Sequence, residues 1–241
     1  MEQLRLAIVG MGRMGQAIAA LAPERGFDVV ATLDARDAAA GISAERLAGA
    51  DVAIEFTAPA AAADNIRALA AARCPVVVGT TGWYDQLEAV SGDVARAGSA
   101  MLWAPNFSIG VNIFDRVVHE AARMLGQVPG FDAHLVETHH TAKKDAPSGT
   151  AIMLARTAID ALGRDVPVTS VRTGSVPGTH ELVFDAPFET IRLEHVARDR
   201  RVFAEGALLA ARWLAGRTGI FRMQDVLDPA QSRSPRTTDH G

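Results

Sequence analysis

The stretch Leu4-Arg-Leu-Ala-Ile-Val-Gly-Met-Gly-Arg-Met-Gly15 decides the fold. Leu4 to Val9 is an apolar run that stops at Gly10, and Gln16-Ala-Ile-Ala-Ala-Leu-Ala22 reads as a helix. Strand, glycine turn and helix in that order are the setting in which G-x-G-x-x-G receives the pyrophosphate of a dinucleotide. Gly10 permits the tight turn, Gly12 lets a phosphate approach the backbone, and Gly15 lets the helix lie close on the sheet. Met11, Arg13 and Met14 complete the loop. The helix start adds free N–H groups and a partial positive charge. A glycine-rich turn without a ligand is the plain alternative.

Working outward, Phe27-Asp-Val-Val-Ala-Thr-Leu33 predicts a second strand, with Asp34 at its end, 19 residues past Gly15. A carboxylate at that offset accepts from the adenosine ribose hydroxyls and favours NAD. Arg36 follows and suits the 2′-phosphate of NADP, so the sequence leaves the cofactor as NADH or NADPH. Asp51 to Phe56, Cys74 to Val78 and Ser99 to Trp103 read as further apolar strands, separated by helices to about Arg73 and from about Asp85 to Ala97. Apolar strands alternating with helices predict a parallel sheet covered on both faces. Ligands of such sheets bind beyond the strand carboxyl ends. Thr57, Gly79-Thr80-Thr81 and Ala104-Pro105-Asn106-Phe107 all lie there and are candidate walls of the cofactor cleft.

From Gly110 the pattern changes. Val111 to Leu125 predicts a long amphipathic helix, Phe131 to Glu137 a half-buried strand, and Ser148 to Leu162 a second helix. Val166 to Arg172, His180 to Phe184 and Thr190 to His195 are strand-like but mixed in polarity, as in a mixed sheet. Val202 to Leu214 predicts a final long helix. The fold class is therefore α/β: a dinucleotide-binding domain over residues 1–107, completed by about 215–228, and a second α/β domain over 108–214 for substrate and subunit contacts. The polar tail 229–241 lacks apolar periodicity and reads as disordered.

Of 24 basic residues only two are lysines, Lys143 and Lys144, in Glu137-Thr-His-His-Thr-Ala-Lys-Lys-Asp-Ala-Pro-Ser-Gly-Thr-Ala151. Where charge alone is needed this chain uses Arg, so Lys points to a task a guanidinium cannot perform. An ammonium can release a proton and can present a compact charge to a small anion. His139 and His140 lie just upstream, and Pro147-Ser-Gly-Thr150 opens a helix. The amides of Gly149 and Thr150, with the Thr150 hydroxyl, make a carboxylate site. Lys143 adds a full charge, His140 a hydrogen bond, and His139 or Lys143 a general acid. Two solvated lysines are the plain alternative, better suited to Lys144. Adjacent histidines give two metal ligands without a third, so no metal is expected.

Bulk properties narrow the class. Hydrophobic residues make up 49% of the chain, net charge is −4 and the pI about 6.0. With no basic tract and few aromatics, nucleic acid is not an expected partner. No apolar run approaches the ~20 residues of a membrane span. Cys74 stands alone, which excludes an internal disulfide. An N-terminus entering a strand at once predicts no signal peptide and a cytoplasmic protein.

The Glu137 to Ala151 run closely resembles the signature of the 4-hydroxy-tetrahydrodipicolinate reductase (dihydrodipicolinate reductase) family of diaminopimelate and lysine biosynthesis. Gly10 to Gly15, Gly79-Thr-Thr81, Ala104-Pro-Asn-Phe-Ser-Ile-Gly-Val-Asn112 and Leu214 to Leu227 match it in order and spacing, so the resemblance covers nearly the whole chain. It implies a Rossmann-type domain, a second domain whose sheet builds a homotetramer, a small dicarboxylate substrate, and NADH or NADPH as hydride donor. It implies His139 as proton donor or acceptor and Lys143 as a second donor. His140, Gly149 and Thr150 become substrate contacts, and Gly10 to Met14, Asp34, Gly79 to Thr81 and Ala104 to Phe107 cofactor contacts. The chain departs from the family in a shorter first glycine loop, in the displaced basic residue of Asp34-Ala35-Arg36, and in compact strands from Val166 to His195. A related dehydrogenase of another small dicarboxylate or amino acid, or a non-catalytic NAD-binding protein, are the competing readings.

Overall fold

The structure is a computed structural model and describes residues 3–34 and 41–228. The chain divides into two compact units, one holding the residues up to Phe107 and from Phe203 onward, the other Ser108–Val202.

The first unit is built on a six-stranded parallel sheet in the order β10-β5-β4-β3-β1-β2. Its strands are β1 (Leu4–Val9), β2 (Phe27–Leu33), β3 (Val52–Glu55), β4 (Val76–Val78), β5 (Ala100–Trp103) and β10 (Gly219–Arg222). Leu6, Ala7 and Ile8 of β1, Val52 to Ile54 of β3 and all of β4 are fully buried, as continuous apolar strands in a two-sided sheet must be. Helices α1 (Arg13–Leu21), α2 (Pro59–Ala71), α3 (Leu87–Arg96) and α6 (Arg201–Leu214), with the short α7 (Met223–Leu227), belong to this unit. The chain leaves β1 for β2 on one side and returns to β3 on the other. The carboxyl ends of β1 and β3 therefore flank the point where strand order reverses, where open α/β sheets form a crevice.

The second unit contains α4 (Ile109–Leu125), β6 (Asp132–His139), α5 (Gly149–Leu162), β7 (Val168–Arg172), β8 (Gly178–Ala186) and β9 (Glu189–Ala197). Its four-stranded sheet runs β7-β6-β8-β9, parallel between β6 and β7 and antiparallel elsewhere. Phe114, Val118 and Ala122 of α4 and Leu154 and Ala158 of α5 pack with Leu135, Leu182 and Phe184 into its core. Ser108 caps α4 and Ser148 caps α5, each hydroxyl accepting from the third residue on.

The structure departs from the sequence expectations at several boundaries. Helix α1 starts at Arg13, inside the glycine fingerprint, with Gly12 as its N-cap. Strand β6 runs on to His139, two residues past the expected end. Helix α6 groups with the first unit, whereas the expected second domain extended to 214. Arg25 pairs with Glu205 at 2.7 Å and the Arg212 guanidinium lies 4.8 Å over the Phe27 ring, which ties α6 to the end of α1 and the start of β2. Arg36 and the tail 229–241 lie outside the described residues.

Candidate active site

In the first unit the glycine turn is shaped by what a side chain would strike. A Cβ on Gly10, which has φ +98°, would lie 2.0 Å from the Phe56 carbonyl oxygen across the crevice. One on Gly15 would lie 2.0 Å from the Gly10 carbonyl oxygen. One on Gly12 would meet nothing within 4 Å. So two glycines close the turn and the third faces open space. Gly12 makes no side-chain cap to α1, and no acidic residue sits in that helix's first turn. These amides and that open backbone fit the pyrophosphate of a dinucleotide.

The other strand ends are laced together. Gly10 N donates to Leu33 O at 2.7 Å, Phe56 N to Val9 O at 2.8 Å, and Gly79 N to Glu55 O at 2.8 Å. The Phe56 ring occupies the place a Gly79 side chain would need and packs edge-on to Phe107, centroids 6.0 Å apart. Thr80 is buried, and its hydroxyl accepts from Thr57 N at 2.7 Å. Met11 and Met14 are half-buried and Arg13 and Asp34 exposed; Thr81 and Pro105 are exposed, Asn106 is half-buried and Ala104 is buried. The structure thus brings the expected cofactor residues to one edge of one sheet. It adds Glu55, a wholly buried acid ending an otherwise apolar strand. Burial pushes its carboxyl up, against the opposing pull of the Thr57 hydroxyl, which donates to it.

In the second unit the helix-covered face of the sheet reads in rows across the strands β7, β6, β8 and β9. Val168, Leu135, Leu182 and Leu193 form an apolar row. The next row is Ser170, Glu137, His180 and His195. Beyond it, Arg172 stands beside His139, and Gly178 beside Ala197. Alternate residues of a strand share a face, so the core face changes from apolar to ionisable within two positions of β6.

Glu137 is fully buried, His139 is 8% exposed and His180 4% exposed. Glu137 Oε1 accepts from Arg172 Nη2 at 2.6 Å and from Ser148 N at 3.2 Å. Its Oε2 lies 2.5 Å from His139 Nδ1, and neither of these buried atoms has another hydrogen-bond partner among the described residues. Burial works against the Glu137 charge, but hydrogen bonds, led by that from Arg172, outweigh it and hold the carboxyl down at about 2. Burial lowers the His139 pKa, with Glu137 pulling it up and Lys143 pushing it down. His180 is held down at about 4, first by burial and then by His139. Its Nε2 lies 3.3 Å from Ser148 Oγ, and its ring meets that of His139 edge-on at 5.3 Å.

Lys143 Nζ contacts both Asp145 oxygens, at 2.9 and 3.0 Å, and this ammonium lowers the Asp145 pKa. Lys144 is exposed, as the plain alternative had it. His140 is half-buried in the turn after β6, its carbonyl accepting from Lys143 N at 3.1 Å. A Gly149 side chain would meet nothing within 4 Å, and no acid occupies the first turn of α5. The α5 start thus already binds one carboxylate, Glu137, through Ser148 N, and leaves open space beside Gly149. Pro147 precedes the Ser148 cap rather than opening the helix.

Sequence reasoning missed Glu137, Arg172, Ser148 and His180 as members of this cluster. It weighed metal binding on His139 and His140 alone. Glu137, His139 and His180, not His139 and His140, bring one donor atom each within 4.8 Å of one another. Arg172 supplies a counter-charge to one oxygen of Glu137 in this trio, at 2.6 Å.

Comparison with known proteins fits this geometry. Residues 4–107 match the N-terminal domain of dihydrodipicolinate reductase, and residues 110–227 its C-terminal domain. The chain belongs to the dihydrodipicolinate reductase family. The 4-hydroxy-tetrahydrodipicolinate reductase of Christiangramia forsetii is 35% identical over 236 residues, covering 93% of this chain and 98% of that one. The enzyme of the same name from Laribacter hongkongensis is 35% identical over 267 residues, covering 94% and 99%. Among solved structures, dipicolinate-bound dihydrodipicolinate reductase from Paenisporosarcina sp. TG-14 has the same fold, with a TM-score of 0.78 at 22% identity, covering 91% of this chain and 97% of that one. Among the described residues no helix is long and apolar enough to cross a membrane.

Proposed function

We propose that this protein reduces 4-hydroxy-tetrahydrodipicolinate to tetrahydrodipicolinate at the expense of NADH or NADPH. The observation that carries the reading is the α5 N-terminus. This helix start, with open space beside Gly149, lies in one short segment with Lys143, His139 and a buried acid–base cluster, on a chain of this family.

The glycine turn and the ends of β3, β4 and β5 would hold the nicotinamide dinucleotide, which when bound would supply hydride to ring carbon 4 of the substrate. The chain's own residues do the rest. Amides of Gly149 and Thr150, the Lys143 ammonium and His140 grip the substrate carboxylates. Water leaves the hydroxylated carbon, and a proton from His139 Nε2 or Lys143 Nζ completes the reduction. Donors fixed in place before reaction act on developing charge without reorganising, and they contribute much of the acceleration. We further infer a cytoplasmic homotetramer, from the family resemblance; its mass in solution tests the subunit number.

The test is NADH and NADPH oxidation followed by absorbance, with substrate generated in place from pyruvate and aspartate semialdehyde by its synthase. Synthase-dependent oxidation supports the reading. A folded, NADH-binding protein without it contradicts the reading and favours another small dicarboxylate.

A further inference from the structure

We propose that Glu137 is the positioning residue of His139: it fixes the ring with Nδ1 protonated and stabilises the imidazolium, leaving Nε2 to exchange the proton.

A carboxylate with no exposed surface is unfavourable in a protein interior unless charge and hydrogen bonds compensate it. Here the compensation is lopsided. Arg172 Nη2 and Ser148 N both bind Oε1, at 2.6 and 3.2 Å, while Oε2 is turned to His139 Nδ1 at 2.5 Å. Arg172 is itself anchored, donating to Asp145 O at 2.6 Å. A carboxylate serving only as a partner for Arg172 has no need to present its second oxygen to an imidazole.

Gly178 lies against the other edge of the ring. A Cβ on Gly178 would lie 3.0 Å from His139 Nε2, so glycine at this position spares the nitrogen that Glu137 does not hold. An imidazole whose Nδ1 faces an anion carries its proton there when neutral, and its Nε2 is then the site that gains and loses a proton. Charged or titratable groups reach this ring from each neighbouring element: Glu137 on β6, Arg172 on β7, His180 on β8 and Lys143 in the loop before α5. Of these only Glu137 favours the imidazolium.

The proposal rests on His139 as a proton donor, so its test has one readout that needs no turnover. In Glu137→Gln the side chain keeps its shape and an acceptor for Arg172 but loses its charge. The His139 ring is titrated by NMR, its signal identified by its loss in His139→Gln. The expected midpoint falls by about one pH unit or more on losing the neighbouring anion, and kcat falls ~10²- to 10⁴-fold, the usual contribution of a positioned general acid. KM for NADH or NADPH stays within about twofold. Glu137→Asp, which keeps the charge, restores the midpoint. If the single variant does not fold, Glu137→Gln/Arg172→Gln removes both charges, and the midpoint still falls because Glu137 pulls harder than Arg172 pushes. An unmoved midpoint, or a fall in kcat without one, makes Glu137 structural and overturns the proposal. If wild-type protein oxidises neither cofactor, the reductase reading falls while the titration still decides the Glu137–His139 pairing.

Discussion

The two units bind by different means. In the first, the site is backbone: a turn of glycines, a helix start and strand ends tied by main-chain hydrogen bonds. In the second it is side chains, delivered from three neighbouring strands, a loop and a helix cap. A backbone site needs residues that are absent in bulk, so it shows in sequence as glycines at fixed spacing. A side-chain site needs residues placed by register, which the sequence holds only in scattered form. The first kind should break by added volume and the second by lost chemistry.

Gly15→Ala gives the largest effect. Its Cβ would lie 2.0 Å from the Gly10 carbonyl oxygen, so backbone must move. We expect a loss of about 4 kcal/mol or more, on the scale of severe packing faults, read by chemical denaturation. Gly12→Ala sharpens the contrast, since it meets nothing in the fold. It should melt as wild type yet bind NADH about tenfold more weakly or worse, about 1.4 kcal/mol.

His180 tests the second unit through pH. Burial holds its pKa at about 4 in the folded chain against the ordinary imidazole value of 6.5, so between these pH values the unfolded chain binds more protons. Stability contributed by the neutral ring is complete above pH 6.5 and is lost as pH falls to about 4. The loss is on the order of 3 kcal/mol. Denaturation series at pH 7 and pH 4 should show His180→Gln to be distinctly less acid-sensitive than wild type.

Lys143→Ala should lower kcat by ~10²-fold if this ammonium delivers a proton, about 2.7 kcal/mol, with NADH affinity unchanged in a fluorescence titration. Near-normal turnover would remove it from the chemistry. The smallest effect is expected at Ser148. Its hydroxyl accepts from Ala151 N at 3.1 Å, and Ser148→Ala should cost about 1 kcal/mol in a thermal melt, the usual value of an N-cap.

These residues also show what could be read from sequence. Strands Leu4–Val9 and Phe27–Leu33 were legible to the residue, because apolar runs end at Gly10 and follow Gly26. Helix α1 was read from Gln16 because glycine counts as a helix breaker. Here Gly15 is instead the contact by which the first turn lies on Gly10. His139 and Lys143 were legible from composition and motif. The alternation from Phe131 to Glu137 marks Glu137 as the last residue of a strand and says nothing of chemistry. Its period-two phase with Ala133 and Leu135 put it on the core face all along. His180, 41 residues past His139, had no local signal. Only the antiparallel pairing of β6 and β8 sets it opposite Glu137.

The division of labour between the units is tested most directly by the His139→Gln variant, with synthase-coupled turnover and NADH affinity measured on the same preparation. The account predicts turnover reduced by ~10²-fold or more with NADH bound as in wild type. Turnover near the wild-type rate, or NADH affinity lost together with it, would contradict that division.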